Sequence, residues 1–281
     1  QVEKTKNNIK QILGVRKRGN RSFEIDIKVN NLNGSIFFNK QKKKSTNNPF
    51  ANNIIADDRF IRIQTNSVNI VLNGHRGLAM ESLAFPMIYS KPLIGTIKHG
   101  YFEEISLSAD WYSASTVLQR PGKPQITDLG STAPVFIGGI SQFGPWIECS
   151  ADIKTEIGII HKKFTIYQEI PQIDLEFTFH WKKVPLGSFR TGFITLLPQS
   201  FDLDSLFYAT HNGGYDFEIY HIRKQSISHG EPISSVVTAT SGIGATQGVV
   251  VIGDVKKGVE AYFDQVVSAA MPMNSFRSAI P

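Results

Sequence analysis

Apolar residues recur at every second position through much of this chain, and a period of two buries one face of an extended strand. Between residues 172 and 181, Ile173, Leu175, Phe177, Phe179 and Trp181 alternate with Gln172, Asp174, Glu176, Thr178 and His180. Phe23, Ile25, Ile27 and Val29 alternate in the same way with Glu24, Asp26, Lys28 and Asn30. Residues 31–34 then read as a turn and 35–39 as the returning strand. Further strands are expected at 60–64, 67–72, 146–153, 159–169, 190–197, 248–253 and 259–263, where Gly, Pro and Asn mark the flanks. Residues 120–134 are rich in turn formers and read as a long connection between sheets.

Helical spacing appears only at the start, where Val2, Ile9, Ile12 and Leu13 lie among Lys, Asn and Gln. A short helical remnant is therefore expected over 1–19, followed by one β-sandwich domain over 20–281. No helical pattern longer than ten residues follows, which argues against alternating helix and strand units. The expected class is all-β, with large antiparallel sheets packed as a sandwich. No repeat of fixed period points to a propeller or solenoid.

Hydrophobic residues make up 41% of the 281 positions and aromatics 11%, enough for a packed core and unlike a disordered chain. The net charge of +6 is unevenly spread. Residues 1–44 hold 12 Lys/Arg against 3 Asp/Glu, so the remaining chain holds 18 basic and 21 acidic residues. The densest run, Lys40, Lys42, Lys43 and Lys44, leads into Ser45, Thr46, Asn47, Asn48 and Pro49 and reads as a solvated loop. No nucleic-acid role is expected. Cys149 is the only cysteine, which excludes an internal disulfide and a multi-cysteine metal site and is compatible with a reducing compartment. No apolar run reaches the ~18 to 20 residues of a membrane span, and no signal-peptide pattern is seen. A start at Gln1 without methionine, and an end at Pro281 just beyond an apolar-rich stretch, favour a piece of a larger protein.

Five polar clusters stand where strands should end: Asn73-Gly74-His75-Arg76-Gly77, His99-Gly100-Tyr101-Phe102-Glu103-Glu104, Asp110-Trp111-Tyr112-Ser113, His211-Asn212-Gly213-Gly214-Tyr215 and His229-Gly230-Glu231. Glycine lets backbone approach a ligand, His, Asn, Arg and carboxylates give directional hydrogen bonds, and Trp or Tyr faces stack on sugar rings. His75, Arg76, His99, Asp110, Trp111, His211, Asn212 and His229 are therefore the candidate contacts for a carbohydrate or a neighbouring domain. Turns that satisfy backbone groups at sheet ends are the competing explanation.

Other chemistries have less footing. Neither His-Glu-x-x-His nor Cys-x-x-Cys occurs, so no metal site is expected. The glycine-rich run at 242–248 lacks the Lys-Ser/Thr and helix of a phosphate loop. No Gly-x-Ser-x-Gly elbow is present. A glycosidase needs two carboxyl groups about 5 to 9 Å apart. Glu103 and Glu104 are adjacent and would point to opposite faces of a strand, while Asp202 and Asp204 read as a turn. The catalytic residues are unknown and no cofactor is expected within this chain.

The stretches Leu72-Asn73-Gly74-His75-Arg76-Gly77, His99 to Ile105, Ala109-Asp110-Trp111-Tyr112-Ser113 and Arg190 to Pro198 resemble the β-sandwich regions of family 38 alpha-mannosidases and related glycoside hydrolases. The resemblance spans much of residues 60–270. It implies a galactose-mutarotase-like supersandwich, carbohydrate as partner, and an upstream catalytic domain that this chain lacks. It also implies that the nucleophile and zinc ligands lie in that absent barrel. A self-sufficient sugar epimerase or polysaccharide lyase, and a non-catalytic interaction domain, are the alternatives. For a mutarotase-type site, His99, His211 and Glu231 supply the residue types.

Overall fold

The computed structural model describes residues 53–98, 110–183, 186–202, 204–211, 215–221 and 248–263, and the strands at 11–17, 22–29, 32–39, 240–241 and 273–274. Among these residues there is no α-helix, and every ladder between named strands is antiparallel. The all-β class expected from the period of two is the observed one. The chain forms two compact units, residues 46–201 and residues 1–45 with 202–281, and the expected 20–281 span is distributed over both.

In the discontinuous unit, β1 (Gln11–Lys17), β2 (Ser22–Val29) and β3 (Leu32–Asn39) form a meander. The helix expected over 1–19 is thus corrected at Gln11–Lys17, where a strand pairs Ile12 with Ile27 and Val15 with Ile25. An isolated amphipathic helix of this length is marginal in water, whereas the meander supplies partners for the same backbone groups. The turn expected at 31–34 is corrected: β3 already begins at Leu32, which pairs with Val29, and Asn33 and Gly34 pair with Lys28 and Ile27.

The central unit holds β4 (Ile54–Ala56), β5 (Phe60–Gln64), β6 (Asn69–Asn73), β7 (Ala79–Phe85) and β8 (Tyr89–Gly95) as one five-stranded sheet in chain order. β9 (Thr116–Arg120), β10 (Lys123–Thr127) and β15 (Ser188–Thr191) make a three-stranded sheet, with β9 in the middle. β11 (Val135–Ser141), β12 (Gly144–Thr155), β13 (Gly158–Tyr167) and β14 (Ile173–Trp181) make a four-stranded sheet. The turn-rich stretch at 120–134 is therefore partly a hairpin: Gly122, at φ 64°, turns β9 into β10. The strand expected over 190–197 stops at Thr191, because Gly192 takes φ 68° and redirects the chain. Beyond it, Thr195 O accepts from Gly95 N at 3.0 Å and Leu197 N donates to Leu93 O at 2.9 Å.

Alternation decides which side chains enter the core. Ile61 and Ile63 of β5, Ile70 and Leu72 of β6, and Ile160, Phe164 and Ile166 of β13 are all buried. Lys162 falls in the same inward register as those β13 residues and is also fully enclosed. β14 is an edge strand, and it is half-buried along most of its length rather than buried on one face. Its Phe179 stacks on Trp181 at 5.0 Å, and Phe189 of β15 meets both rings edge-on.

The discontinuous unit also contains β16 (Phe207–Thr210), β17 (Glu218–His221), β19 (Val249–Gly253) and β20 (Gly258–Tyr262), ordered β17-β16-β19-β20, and a two-stranded pair of β18 (Thr240–Ser241) and β21 (Met273–Asn274). Asp254 closes the β19–β20 turn by accepting from Lys256 N and Lys257 N at 2.8 and 2.9 Å.

Candidate functional site

Asn73 ends β6, and its Oδ1 accepts from His75 N at 3.1 Å to start a single 3-10 turn. Gly77 follows at φ 58°, and a Cβ there would lie 1.7 Å from Asp128 O, so no other residue fits. The carbonyl of Gly77 is thereby aimed inward, at Lys162 Nζ, 2.7 Å away. Ala114, also at positive φ, aims its carbonyl at the same nitrogen from 2.7 Å. Asp128 Oδ2 stands 2.7 Å away as the third partner. The ammonium thus donates to two carbonyls and forms its ion pair with Asp128. Asp128 Oδ1 in turn accepts from Thr116 N at 2.8 Å. Burial lowers the pKa of Lys162 from its ordinary value, and the Asp128 charge and hydrogen bond oppose that shift.

This clamp brings two of the five polar clusters together. The Arg76 guanidinium lies 5.9 Å from the centre of the Tyr112 ring, and Lys98 Nζ lies 5.9 Å from it as well. Both distances are in the range where a cation is attracted by an aromatic face. Lys98 Nζ also stands 2.8 Å from Glu81 Oε2 and 3.7 Å from Asp110 Oδ2, so one ammonium is shared by two carboxylates. Tyr112 donates its hydroxyl to Asp110 Oδ2 at 3.2 Å, and Asn73 Nδ2 donates to Glu81 Oε1 at 2.6 Å. Glu81 and Asp110 are largely enclosed while Lys98 is half exposed, so the network opens to solvent through its cation.

Trp111 joins the adjoining chain through two backbone hydrogen bonds with Ile97, of 2.7 and 3.1 Å, and its side chain is 42% exposed. His75 turns elsewhere, toward Asp58 Oδ2 at 3.5 Å, at an exposed position. His211 belongs to the other unit, where its ring lies 4.1 Å from that of Phe217. His99, Asn212 and His229 lie outside the described residues, as does Glu231. Arg76 and Asp110 thus meet around Tyr112, with Trp111 next in the chain.

Sequence reasoning did not select Glu81, Lys98, Asp128 or Lys162. Lys162 carried a signal, a lysine in the inward register between Ile160 and Phe164, but the chain distance to Asp128 hid its partner. Lys98 directly precedes the His99-Gly100 cluster. Among the described residues, no three His, Cys, Asp or Glu side chains are grouped to hold a metal, and no helix is long and apolar enough to cross a membrane. Cys149 is free and fully buried, and burial, with the neighbouring Glu148 charge, pushes its thiol up to about 12. Comparison with family models, with curated proteins and with solved structures returned no match in any of the three.

Proposed function

We propose that this chain is a carbohydrate-associated β domain that contacts sugar through Arg76, Lys98, Asp110 and Tyr112, with Trp111 at the rim. The observation that carries the reading is the pair of cations over one tyrosine ring, one of them bridging two carboxylates, beside an exposed tryptophan. Such a surface offers donors, acceptors and aromatic faces within reach of one ligand, which is how ring hydroxyls and C–H faces are recognised. Glu81 and Asp110 are both committed to Lys98, so they hold the surface in shape and accept from hydroxyls. The proposal extends to a supersandwich of the galactose-mutarotase type serving a glycoside hydrolase of the family 38 alpha-mannosidase kind, as the resemblance of the 72–77 and 109–113 stretches implies.

A glycan array probed with the fluorescently labelled chain tests this reading. Retention on defined oligosaccharides, diminished for Trp111→Ala, is the expected result. A folded wild-type chain that is retained by no saccharide on the array overturns it.

A further inference from the structure

The four-stranded sheet has a second face, opposite the one that carries Lys162 and Phe164. Cross-strand register puts Gly139, Trp146 and Tyr167 in one row on that face, and Glu148, Thr165 and Asp174 in the next. Directly paired side chains in such rows are close neighbours. Exposure falls along β12 on this face, from exposed Asp152 and Lys154 to Glu148, which is 8% exposed. The rows therefore occupy the enclosed end of the face.

Two features there are unexplained by packing. Trp146 lies across its cross-strand partner Gly139, where a Cβ would fall 2.4 Å from the indole, so the glycine makes room for a flat ring. Glu148 is more than nine-tenths buried, yet among the described residues its carboxylate has no hydrogen-bond or ion-pair partner, which leaves its acceptor oxygens open to a ligand's donors. Asp174, by contrast, is fully engaged. Its two oxygens accept from Tyr167 Oη and Gln172 Nε2, each at 2.8 Å.

The geometry points to a second sugar site on this face, with a pyranose ring stacked on Trp146 and its hydroxyls donating to Glu148. Thr165 adds a hydroxyl that can donate or accept. On the same face Lys163 is already paired with Glu176 at 2.9 Å, so the free polar groups beside Trp146 are the acceptors of Glu148 and the hydroxyl of Thr165, which suit a neutral polyol. Burial raises the pKa of Asp174, and the hydrogen bonds from Gln172 and Tyr167 oppose that shift. The inference uses none of the residues around Tyr112 and stands if that surface proves inert.

Saturation-transfer NMR on the full chain, with mannotriose, cellotriose and maltotriose as probes and tetramethylammonium as the cationic control, tests it. The Trp111→Ala background removes the first surface. In that background one saccharide should still bind, Trp146→Ala should abolish the signal, and the isosteric Glu148→Gln should weaken binding about tenfold. Gly139→Ala, which removes no polar group, should also weaken it by displacing the indole. Each variant is accompanied by a melting curve, and Trp146→Phe replaces Trp146→Ala if the latter unfolds. Loss of all saccharide binding in Trp111→Ala alone overturns this site and leaves the proposed function intact. Binding indifferent to Trp146 and Glu148, or binding of tetramethylammonium in place of saccharide, overturns it as well. A wild-type chain that binds none of the three saccharides overturns both.

Discussion

Lys162 Nζ lies 2.7 Å from Asp128 Oδ2, and neither side chain exposes any surface to solvent. With Gly77 O and Ala114 O completing its partners, this ion pair ties three separate chain segments to the inner face of the four-stranded sheet. Removing one member of a buried pair strands the other's charge, at a cost of about 3–5 kcal/mol. Lys162→Met and Asp128→Asn should each lower stability by that order. Their combination should cost less than the sum, since the two residues share one interaction. All three tryptophans lie in the 46–201 unit, so urea unfolding followed by tryptophan fluorescence reads this directly.

Gly77 and Gly122 both take positive φ, 58° and 64°, but only Gly77 is crowded. Gly122→Ala should cost about 1 kcal/mol, the ordinary penalty for a left-handed alanine, because nothing lies within 4 Å of the added Cβ. Gly77→Ala should cost several times more and move the Asn73 turn. Equal melting temperatures for the two variants would refute the packing argument.

Acid should act on both units through carboxylates held in the ionised form. The Arg62 guanidinium and the Phe60 and Arg59 backbone N–H groups pull Asp57 down to about 2. Burial raises Asp254, but hydrogen bonds from Asp202 N, Lys257 Nζ, Lys256 N and Lys257 N outweigh it and hold the group well below the usual carboxylate range. Both folded values lie below the unfolded one, so the unfolded chain binds more protons. The stability they contribute is complete above about pH 4 and is lost as pH falls through the folded values. Asp57→Asn and Asp254→Asn should each be less stable than wild type at neutral pH and show a shallower further loss on acidification, measured by denaturant unfolding at stepped pH.

Cys149 should be chemically silent in the folded chain. It is fully buried and its thiol is pushed up to about 12 by burial and by Glu148, so thiolate is scarce at pH 8. Reaction with a thiol reagent should appear only on unfolding, and rapid labelling of native protein would contradict the described packing.

Strands were the most legible part of the sequence, because half-buried strands write their period in residue type. The 60–64 segment is a strand at those bounds, and the 259–263 segment is displaced by one residue. Strands β7 and β8 were missed because Ala79 to Phe85 and Tyr89 to Gly95 mix small, polar and apolar residues without strict alternation. At the candidate site, Arg76 was legible beside Gly77, and Asp110 and Trp111 as part of a short polar and aromatic run. The groups that join them were not. Glu81 and Lys98 read as ordinary strand charges, and Lys162 meets Asp128 only through tertiary packing. His75 was selected on residue type, and its contact with exposed Asp58 has no bearing on the Tyr112 surface.

The surface around Tyr112 is the centre of the functional reading, and calorimetric titration of the full chain with an oligosaccharide retained on the array tests it most directly. Lys98→Met and Trp111→Ala should each weaken binding about tenfold, and together should differ from the sum of the single effects by more than the ~0.5 kcal/mol scatter of independent sites. Lys154→Ala, on an exposed position of the other sheet face, should bind as wild type. Unchanged affinity in both Lys98→Met and Trp111→Ala, with only their melting temperatures lowered, would contradict the account and leave the Tyr112 network a purely structural device.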